Sequence, residues 1–300
     1  MCAQPLPPGL ANRAFTTREG LALGLTREQL RRRSLTAPHH GVRSPGPARG
    51  VLAAARSAAP LLRPDEAFCH LTALALWDLP LPEVGQAPPA PVHLGGTSSR
   101  PRRRPGLRTH GYLVLPVVRH RGLPVVPPVE AWIQAAAVLD VDDLVVIGDA
   151  LCGEWSRWPP ARRLSPRVLV DAVAAAGPRR GVARLRAAVV HVREGVLSPQ
   201  ETRLRLLVVR HGLPEPEINA PRHAPDGAFL GRPDLSWSVP RVALEYEGDH
   251  HRVDQGQWRS DLRRRERFAD AGWDLVRVSA DELRPPEDAA FLARLDRRLR

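Results

Sequence analysis

The hydrophobic pattern in the last third of the chain changes from helical to strand-like and back again. Residues 198–212 repeat with a helical period, and Ser198 and Pro199 stand where an N-cap and a first helical turn are expected. The later strand-like and helical segments lie at 217–223, 232–239, 241–248, 257–272 and 273–279, with a terminal helix after them. This order of helix, three strands, helix, strand and helix predicts an α/β domain.

The middle of the chain is predicted to contain both strands and helices. The apolar segment 65–82 predicts a helix that Asp65 caps, and residues 91–94 and 107–115 predict strands. Proline and glycine separate four further helical segments, at 127–139, 140–154, 165–177 and 180–192. No cluster of catalytic residue types stands out here. The acids of this region are expected at helix starts or on solvated faces, namely Asp142, Asp143, Asp149 and Glu154.

Near the N-terminus, two capping boxes predict a pair of short helices. Thr16 precedes Glu19 by three residues, and Thr26 precedes Gln29 by three. Gly24 falls between the two segments, where a tight turn is needed. The spacing therefore predicts a helix-turn-helix, with residues 34–43 as a short wing.

Four arginines lie on or just after the second predicted helix, where a recognition helix would meet DNA. They are Arg27, Arg31, Arg32 and Arg33. A small helical hairpin with a solvated basic face is the alternative interpretation of this segment.

The composition indicates a polyanionic partner. The chain of 300 residues has a formal net charge of +12, and all 44 of its basic residues are arginine. Arginine binds phosphate through its planar guanidinium, so DNA is the expected partner. Cys2, Cys69 and Cys152 are odd in number and lack CxxC spacing, which predicts buried or free thiols rather than a disulfide framework or a zinc knuckle.

The sequence shows no membrane-directed segment. The N-terminus lacks a positively charged start followed by an apolar core, and no apolar run of about 18 residues occurs in the chain. We therefore expect a cytoplasmic protein with no membrane partner.

An acidic hairpin is predicted between residues 232 and 248. Alternation along the second strand places Glu245 and Glu247 on one face, and reflection of the chain about residues 239–240 brings Asp234 opposite Glu245 or Tyr246. Gly248 is expected to end the strand and to turn the next residues toward the same edge.

Carboxylates this close repel one another unless a cation or a proton intervenes. Oxygen ligands without a thiolate favour Mg²⁺ or Mn²⁺, and in a basic protein they indicate phosphodiester chemistry. The alternative is an edge hairpin whose acids face water and pair with nearby arginines.

Residues 196–284 carry an ordered series of motifs that resembles the very-short-patch-repair-like branch of the PD-(D/E)XK nuclease superfamily, and more narrowly its actinobacterial members. The series comprises the capped helix, the acidic hairpin, the arginine-rich helix and the following strand. The positions that match its motifs are Glu201, Asp234, Glu245, His251, Asp261, Arg264 and Arg277.

This resemblance implies a Mg²⁺- or Mn²⁺-dependent DNA endonuclease. The implied metal ligands are Asp234, Glu245 and Glu247. Glu201 is expected to assist directly or through water, His251 to act as base or ligand, and Arg264 to contact DNA. Because Glu247 stands where the superfamily has lysine, the metal would activate water alone or with His251 as proton acceptor.

The N-terminal part resembles, more weakly, the winged helix-turn-helix and following domain of AbiEi-type antitoxins, which are DNA-binding transcriptional regulators. The predicted fold is α/β (α+β), with a winged helix-turn-helix at 1–60, a mixed α/β domain at 61–194 and a nuclease-like domain at 195–300. Two functions stay open, a metal-dependent DNA endonuclease and a non-catalytic DNA-binding regulator that retains the nuclease fold as a binding surface.

Overall fold

Short strands and helices alternate through the described part of the chain. The structure is a computed structural model that describes residues 5–82, 91–97, 103–247 and 255–300, with side chains in the last range from residue 263. The helices are α1 Thr17–Ala22, α2 Gly50–Ala58, α3 His70–Leu76, α4 Pro128–Ala135, α5 Val141–Cys152, α6 Pro166–Ala175, α7 Val182–Val189, α8 Pro199–Arg210, α9 Gln255–Asp270 and α10 Glu287–Leu299.

The strands form several small sheets, so the described chain has a mixed α/β fold. They are β1 Phe15–Thr16, β2 Val42–Arg43, β3 Glu66–Phe68, β4 Val92–Gly96, β5 Leu107–Gly111, β6 Val118–His120, β7 Leu123–Val125, β8 Glu217–Ile218, β9 Arg222–His223, β10 Phe229–Gly231, β11 Leu235–Trp237, β12 Val242–Glu247 and β13 Asp274–Ser279. No helix within the described ranges is both long enough and apolar enough to cross a membrane.

A five-stranded sheet organises the middle of the chain, in the order β5-β4-β3-β7-β6. Strand β3 pairs antiparallel with β4 and parallel with β7, and β4 pairs parallel with β5. Helices α2 to α7 contribute to a large core against this sheet, around the fully buried Phe68 and Trp132. The four helices predicted between 127 and 192 are confirmed as α4 to α7.

The prediction of one helix over 65–82 was wrong in its first third. Residues Glu66–Phe68 form the fully buried strand β3, and α3 begins only at His70. Asp65 caps no helix, because its carboxylate accepts hydrogen bonds from the backbone N–H and hydroxyl of Thr97 beyond β4. Pairing with β4 therefore prevails over the local helical pattern.

The C-terminal sheet has four strands in the order β13-β12-β11-β8, and β12 is central. It pairs antiparallel with β11 and parallel with β13. Leu244 on one face packs in a core with α8 and α10, whereas Ala243 on the other face packs with Phe268 of α9. The predicted helices and the later strands β12 and β13 are confirmed, but within the described residues five strands rather than three lie between α8 and α9. The predicted segment 217–223 divides into β8 and β9, and β10 at Phe229–Gly231 was not predicted.

The N-terminal segment differs from the predicted helix pair. Thr16 caps α1 as expected, and Gly24 adopts a positive φ of 88° in the turn that follows. Thr26 and Gln29 form their capping box, with the Thr26 N–H donating to Gln29 Oε1 and the Gln29 N–H to Thr26 Oγ1. That box, however, begins only a three-residue 3-10 helix, Gln29–Arg31.

The second helix ends after one turn, and a side chain from β2 contacts its end. The Arg43 guanidinium of β2 donates to the Leu30 carbonyl at 2.6 Å, and the backbone turns extended at Arg32. Within the segment predicted as a wing, β2 pairs with β1, and Thr36 forms a β-bridge with Ser44. The recognition helix expected over this segment is therefore replaced by a single turn.

Asp149 lies in the packing between α5 and α8, where it is fully buried. Its carboxylate accepts from the Arg193 N–H at 2.7 Å and the Thr202 hydroxyl at 2.9 Å, and it lies 3.3 Å from Nη2 of the fully buried Arg205. The prediction that Asp149 lies at a helix start or on a solvated face was wrong. A mid-helix acid can be buried wherever a neighbouring helix supplies a cation and hydrogen-bond donors.

Candidate functional site

Asp234 lies directly before β11, at one end of the C-terminal sheet. Its Oδ2 accepts a hydrogen bond from the backbone N–H of Tyr246 at 2.7 Å, and its carbonyl accepts from the N–H of Asn219 at 3.0 Å. The register pairs Leu235 with Leu244, so the next step along the hairpin sets Asp234 against Glu245. Of the two registers predicted from the sequence, the structure has the first.

Glu201 reaches the same end of the sheet from the first turn of α8. Its Oε2 accepts from the backbone N–H of Leu197 at 2.9 Å and from the Asn219 side-chain amide at 2.7 Å. The Ser198 hydroxyl in turn accepts from the Glu201 N–H at 3.2 Å, as an N-cap does. Glu201 therefore ties the start of α8 to the loop beside Asp234, and it is buried there.

The pKa of Asp234 is raised to about 7, mainly because the carboxyl is buried. The nearby carboxylates of Glu201 and Glu245 contribute to this increase, whereas the Tyr246 N–H and Arg264 oppose it. The structure therefore brings together three of the acids predicted from the sequence. Without a cation, one proton or one arginine must offset their repulsion.

Arg264 of α9 is the cation that meets this acid cluster. Its Nη2 lies 2.5 Å from Glu245 Oε1 and donates to the Arg232 carbonyl at 3.3 Å, and its guanidinium lies over the Phe268 ring. A Cβ on Gly231 would come within 2.9 Å of Arg264 Nη2, and Gly231 has a φ of 146°. Glycine at 231 is thus required both by the backbone and by the approach of Arg264.

Glu247 lies at the exposed end of β12 and forms an ion pair with Arg277 of β13. The strand alternation places it on the same face as Glu245. His251 falls outside the described residues, as do the strand-ending Gly248 and the two residues after it, and the side chain of Asp261 is not described either.

The pKa of Asp234 leads to a prediction about stability. Its folded pKa lies above the unfolded value, so its contribution to stability is present at low pH and is lost as the pH rises through about 7. In the absence of metal, Asp234→Asn is expected to raise the free energy of unfolding by on the order of 1 kcal/mol at pH 8, and to change it little at pH 4. Urea unfolding at both pH values measures this difference, and an equal effect at the two would contradict it.

The N-terminal arginines form a basic surface around the short 3-10 helix. Arg27, Arg31 and Arg33 are exposed, and Arg32 is half-buried. They lie on the 3-10 turn and on the residues beside it, without the geometry of a recognition helix.

A cluster that the sequence analysis missed lies at the start of α3. Cys69, His70 and His110 each offer a ligand atom within 4.8 Å of the others. His93 of β4 joins them through Nδ1, which lies 3.0 Å from His110 Nε2, and the Tyr112 hydroxyl lies 2.6 Å from His70 Nε2. The sequence analysis found no catalytic cluster in the middle region, and the structure brings this cysteine and these histidines together there.

Burial controls the ionisation of this cluster. The pKa of His70 is lowered to about 2, that of His93 to about 3 and that of His110 to about 4, mainly by burial. Arg108 acts in the same direction on all three, and His110 does so on His70 and His93. Burial likewise raises the pKa of the Cys69 thiol well above its usual range. Cys69 and Cys152 are both free and buried, as the cysteine count predicted.

Comparison with known proteins gives relatives but no function. No protein-family model matches the chain, and no solved structure matches it. Two uncharacterized proteins of Mycobacterium tuberculosis, from strains CDC 1551 / Oshkosh and ATCC 25618 / H37Rv, are each 33% identical to it over 130 residues. The matched region is 42% of this chain and 48% of each relative, so the chain spans about half the length of the curated relatives it matches.

Proposed function

We propose that the protein is a cytoplasmic DNA-binding protein with a Mg²⁺- or Mn²⁺-dependent endonuclease site. The observation that carries the proposal is the carboxylate cluster of Glu201, Asp234 and Glu245 at the end of the C-terminal sheet, with Arg264 against it. In this proposal the C-terminal unit is a very-short-patch-repair-like PD-(D/E)XK domain. A winged DNA-binding unit and an AbiEi-like middle domain precede it.

The donor set of the cluster fits a hard divalent cation. Carboxylate oxygens are the ligands that Mg²⁺ and Mn²⁺ prefer, and the donors near Asp234 include no thiolate. The raised pKa of Asp234 fits as well, because a cation would stabilise the carboxylate form that burial, and to a smaller extent the neighbouring acids, now disfavour.

Each residue has a distinct role in the proposed reaction. Asp234 and Glu245 would hold the metal, and Glu201 and Glu247 would support it directly or through water. When bound, the metal would supply Lewis acidity toward water and toward the phosphate oxygens. Arg264 turns from Glu245 to the phosphate, where its charge compensates for the lysine that Glu247 replaces, and His251 accepts the proton of the attacking water.

Incubation of the purified full chain with plasmid tests the proposal. Nicked or linear DNA is expected with Mg²⁺ or Mn²⁺ and none with EDTA. The proposal fails if the wild-type protein binds duplex DNA tightly but cleaves neither plasmid nor mismatched nor single-stranded DNA with either metal. The regulator described next would then be the better proposal.

The second candidate is a non-catalytic DNA-binding regulator, and the ion pairs of the site favour it. Arg264 neutralises Glu245 and Arg277 neutralises Glu247, so arginines already satisfy two of the proposed metal ligands. In a regulator the acidic cluster would be an inherited site whose chemistry has disappeared. Calorimetric titration separates the two candidates, because only the endonuclease requires Mg²⁺ binding that Asp234→Asn abolishes.

DNA binding by the N-terminal arginines gives a prediction about salt. Replacing Arg31, Arg32 and Arg33 together with alanine is expected to weaken duplex binding. It should also lower the slope of log affinity against log salt concentration by about 0.9 for each phosphate that the protein no longer neutralises. Fluorescence anisotropy at four salt concentrations measures the slope. A slope equal to that of wild type would mean that these arginines only solvate the turn.

Two exposed arginines elsewhere in the chain provide a control for this experiment. Arg167 and Arg300 each pair with an acid four residues away on the same helix or at its end. Replacing these two with alanine alters the net charge without touching the N-terminal surface. The slope is expected to stay within experimental error of the wild-type value.

A further inference from the structure

The Cys69 cluster is assembled by three elements of the middle sheet. Strand β3 leads into Cys69, which is the N-cap of α3, and His70 is the first residue of that helix, with a φ of 48°. His110 comes from β5, whose parallel pairing with β4 sets it beside Gly95. A Cβ on Gly95 would lie 2.9 Å from the Tyr112 ring and 3.3 Å from Cys69 Sγ, so the absence of a side chain there makes room first for the tyrosine and then for the thiol.

One ring nitrogen of His70 is left without a partner. His70 is 3% exposed, its Nε2 bonds to the Tyr112 hydroxyl, and its Nδ1 is buried with no hydrogen-bond partner. A buried polar atom without a partner costs about 1–3 kcal/mol, so proteins rarely leave one. A cation bound by His70 Nδ1, the Cys69 thiol and the His110 imidazole would supply the missing partner.

The outer contacts of the cluster match those of metal-binding imidazoles. Histidine ligands usually bond through their second ring nitrogen to a neighbouring group, which fixes the tautomer and the ring orientation. Here Tyr112 engages Nε2 of His70, and Nδ1 of His93 engages Nε2 of His110. Gln134 also accepts from the His70 backbone N–H at 3.3 Å, and its amide donates to Glu130.

The donor atoms are gathered but lie wider apart than in a tetrahedral site. Zn–S and Zn–N bonds of usual length put tetrahedral donors about 3.4–3.6 Å apart, and the three donors here lie within 4.8 Å of one another. The rings of His70 and His110 stack with centroids 3.9 Å apart, so metal binding requires them to rotate out of this stack. One thiolate and two imidazoles match Zn²⁺ and its chemical neighbours, and they do not match Mg²⁺.

We propose that Cys69, His70 and His110 form a site for a borderline divalent transition-metal ion, with Zn²⁺ as the best match. His70 binds through Nδ1, and Tyr112 and His93 hold the two imidazoles in place. These three residues would leave one position of a tetrahedral metal ion for water or an exchangeable ligand. This site is separate from the carboxylate cluster and takes a different class of metal.

Cobalt substitution tests the site directly in the full chain. Reduced, metal-free protein titrated with Co²⁺ is expected to give a thiolate-to-cobalt charge-transfer band that saturates at one equivalent and disappears when Zn²⁺ is added. The band should persist in the Cys2→Ser/Cys152→Ser variant, in which Cys69 is the remaining cysteine of the three in the sequence. Wild-type protein without the band would overturn the proposal.

Variants then assign the ligands. Cys69→Ser should abolish the band, whereas Cys152→Ser, a substitution of the other described buried cysteine, should leave it unchanged. His110→Gln should lower Zn²⁺ affinity by more than the roughly 10–100-fold expected of the positioning substitution Tyr112→Phe. An unchanged band in Cys69→Ser would overturn the proposal.

Two readouts keep the test decisive if a variant misfolds. The Cys2→Ser/Cys152→Ser protein leaves the proposed ligands intact, so its band alone supports or overturns thiolate ligation by Cys69. In the same protein, Zn²⁺ should protect the thiol from alkylation at least tenfold, and equal alkylation rates would count against the site. Asp234→Asn should bind Co²⁺ at Cys69 like wild type, which separates this site from the proposed nuclease centre.

Discussion

Replacement of Arg205 by methionine is expected to lower the free energy of unfolding by about 3–5 kcal/mol. Arg205 has no exposed side-chain surface, and its guanidinium donates to the carbonyl of His191 at 2.6 Å, to Asp149 at 3.3 Å and to Glu215 at 3.1 Å. Methionine fills much of the volume but leaves the fully buried Asp149 without its cation. The midpoint of urea unfolding, followed by circular dichroism, measures the decrease.

Arg203 on the same helix provides the matched control. It is 38% exposed and pairs with Asp143 at 3.2 Å, so Arg203→Met is expected to cost no more than about 1 kcal/mol. Equal decreases in the free energy of unfolding of Arg205→Met and Arg203→Met would mean that a buried ion pair contributes no more to stability than an exposed one. Asp149→Asn in the Arg205→Met background should recover part of the stability, because it removes the uncompensated charge.

The destabilisation of Arg205→Met should also depend on pH. Burial raises the pKa of Asp149 to about 6 in spite of Arg205. The contribution of Asp149 to the free energy of unfolding is therefore present below about pH 4 and is lost as the pH rises through about 6. Without Arg205 the folded pKa rises further, and the deficit relative to wild type should grow between pH 5 and pH 8. A deficit that is the same at both values would contradict this explanation.

The second large effect is expected on the proposed cleavage reaction. Asp234→Asn should lower the rate of Mg²⁺-dependent plasmid cleavage by about 10³-fold, since a metal in such a site supplies several kcal/mol of transition-state stabilisation. The substitution removes charge at nearly constant shape, and the Tyr246 N–H retains an oxygen acceptor. Single-turnover cleavage measures the rate.

Two controls accompany this measurement. Asp270→Asn makes the same substitution at an exposed position in the last turn of α9, and it should leave the rate unchanged. Duplex affinity measured with Ca²⁺ should be similar in wild type and Asp234→Asn, so that the lower rate is assigned to the chemical step. If Asp234→Asn cleaved DNA at the wild-type rate, Asp234 could not be a ligand of the catalytic metal.

Local sequence signals predicted those parts of the C-terminal unit in which local and tertiary preferences agree. Ser198 and Pro199 fix the start of α8 in sequence and structure alike. The alternation in β12 predicted which acids share a face, because adjacent side chains of a strand necessarily point to opposite sides. Convergence of Asp234 and Glu245 followed from the same pattern once the hairpin was assumed.

The same signals failed where distant segments compete for backbone groups. A helical pattern runs through 65–82, yet pairing with β4 makes Glu66–Phe68 a strand. The capping box at Thr26 formed as the sequence predicted, but Arg43 takes the Leu30 carbonyl and the helix ends after one turn. Hydrogen bonds from residues far along the chain outweighed propensities of a few tenths of a kcal/mol per residue.

By itself, then, the sequence determined the basic charge, which follows from composition. It also determined the periodic elements, the capped helix starts and the acidic hairpin, which depend on residues near one another in the chain. Only the tertiary structure decided that Arg264 lies against Glu245, that Arg205 neutralises a buried Asp149, and that Cys69 meets His110. These contacts join residues tens of positions apart without a regular spacing. Their partners are set by which strands and helices pack together, and no local pattern encodes that.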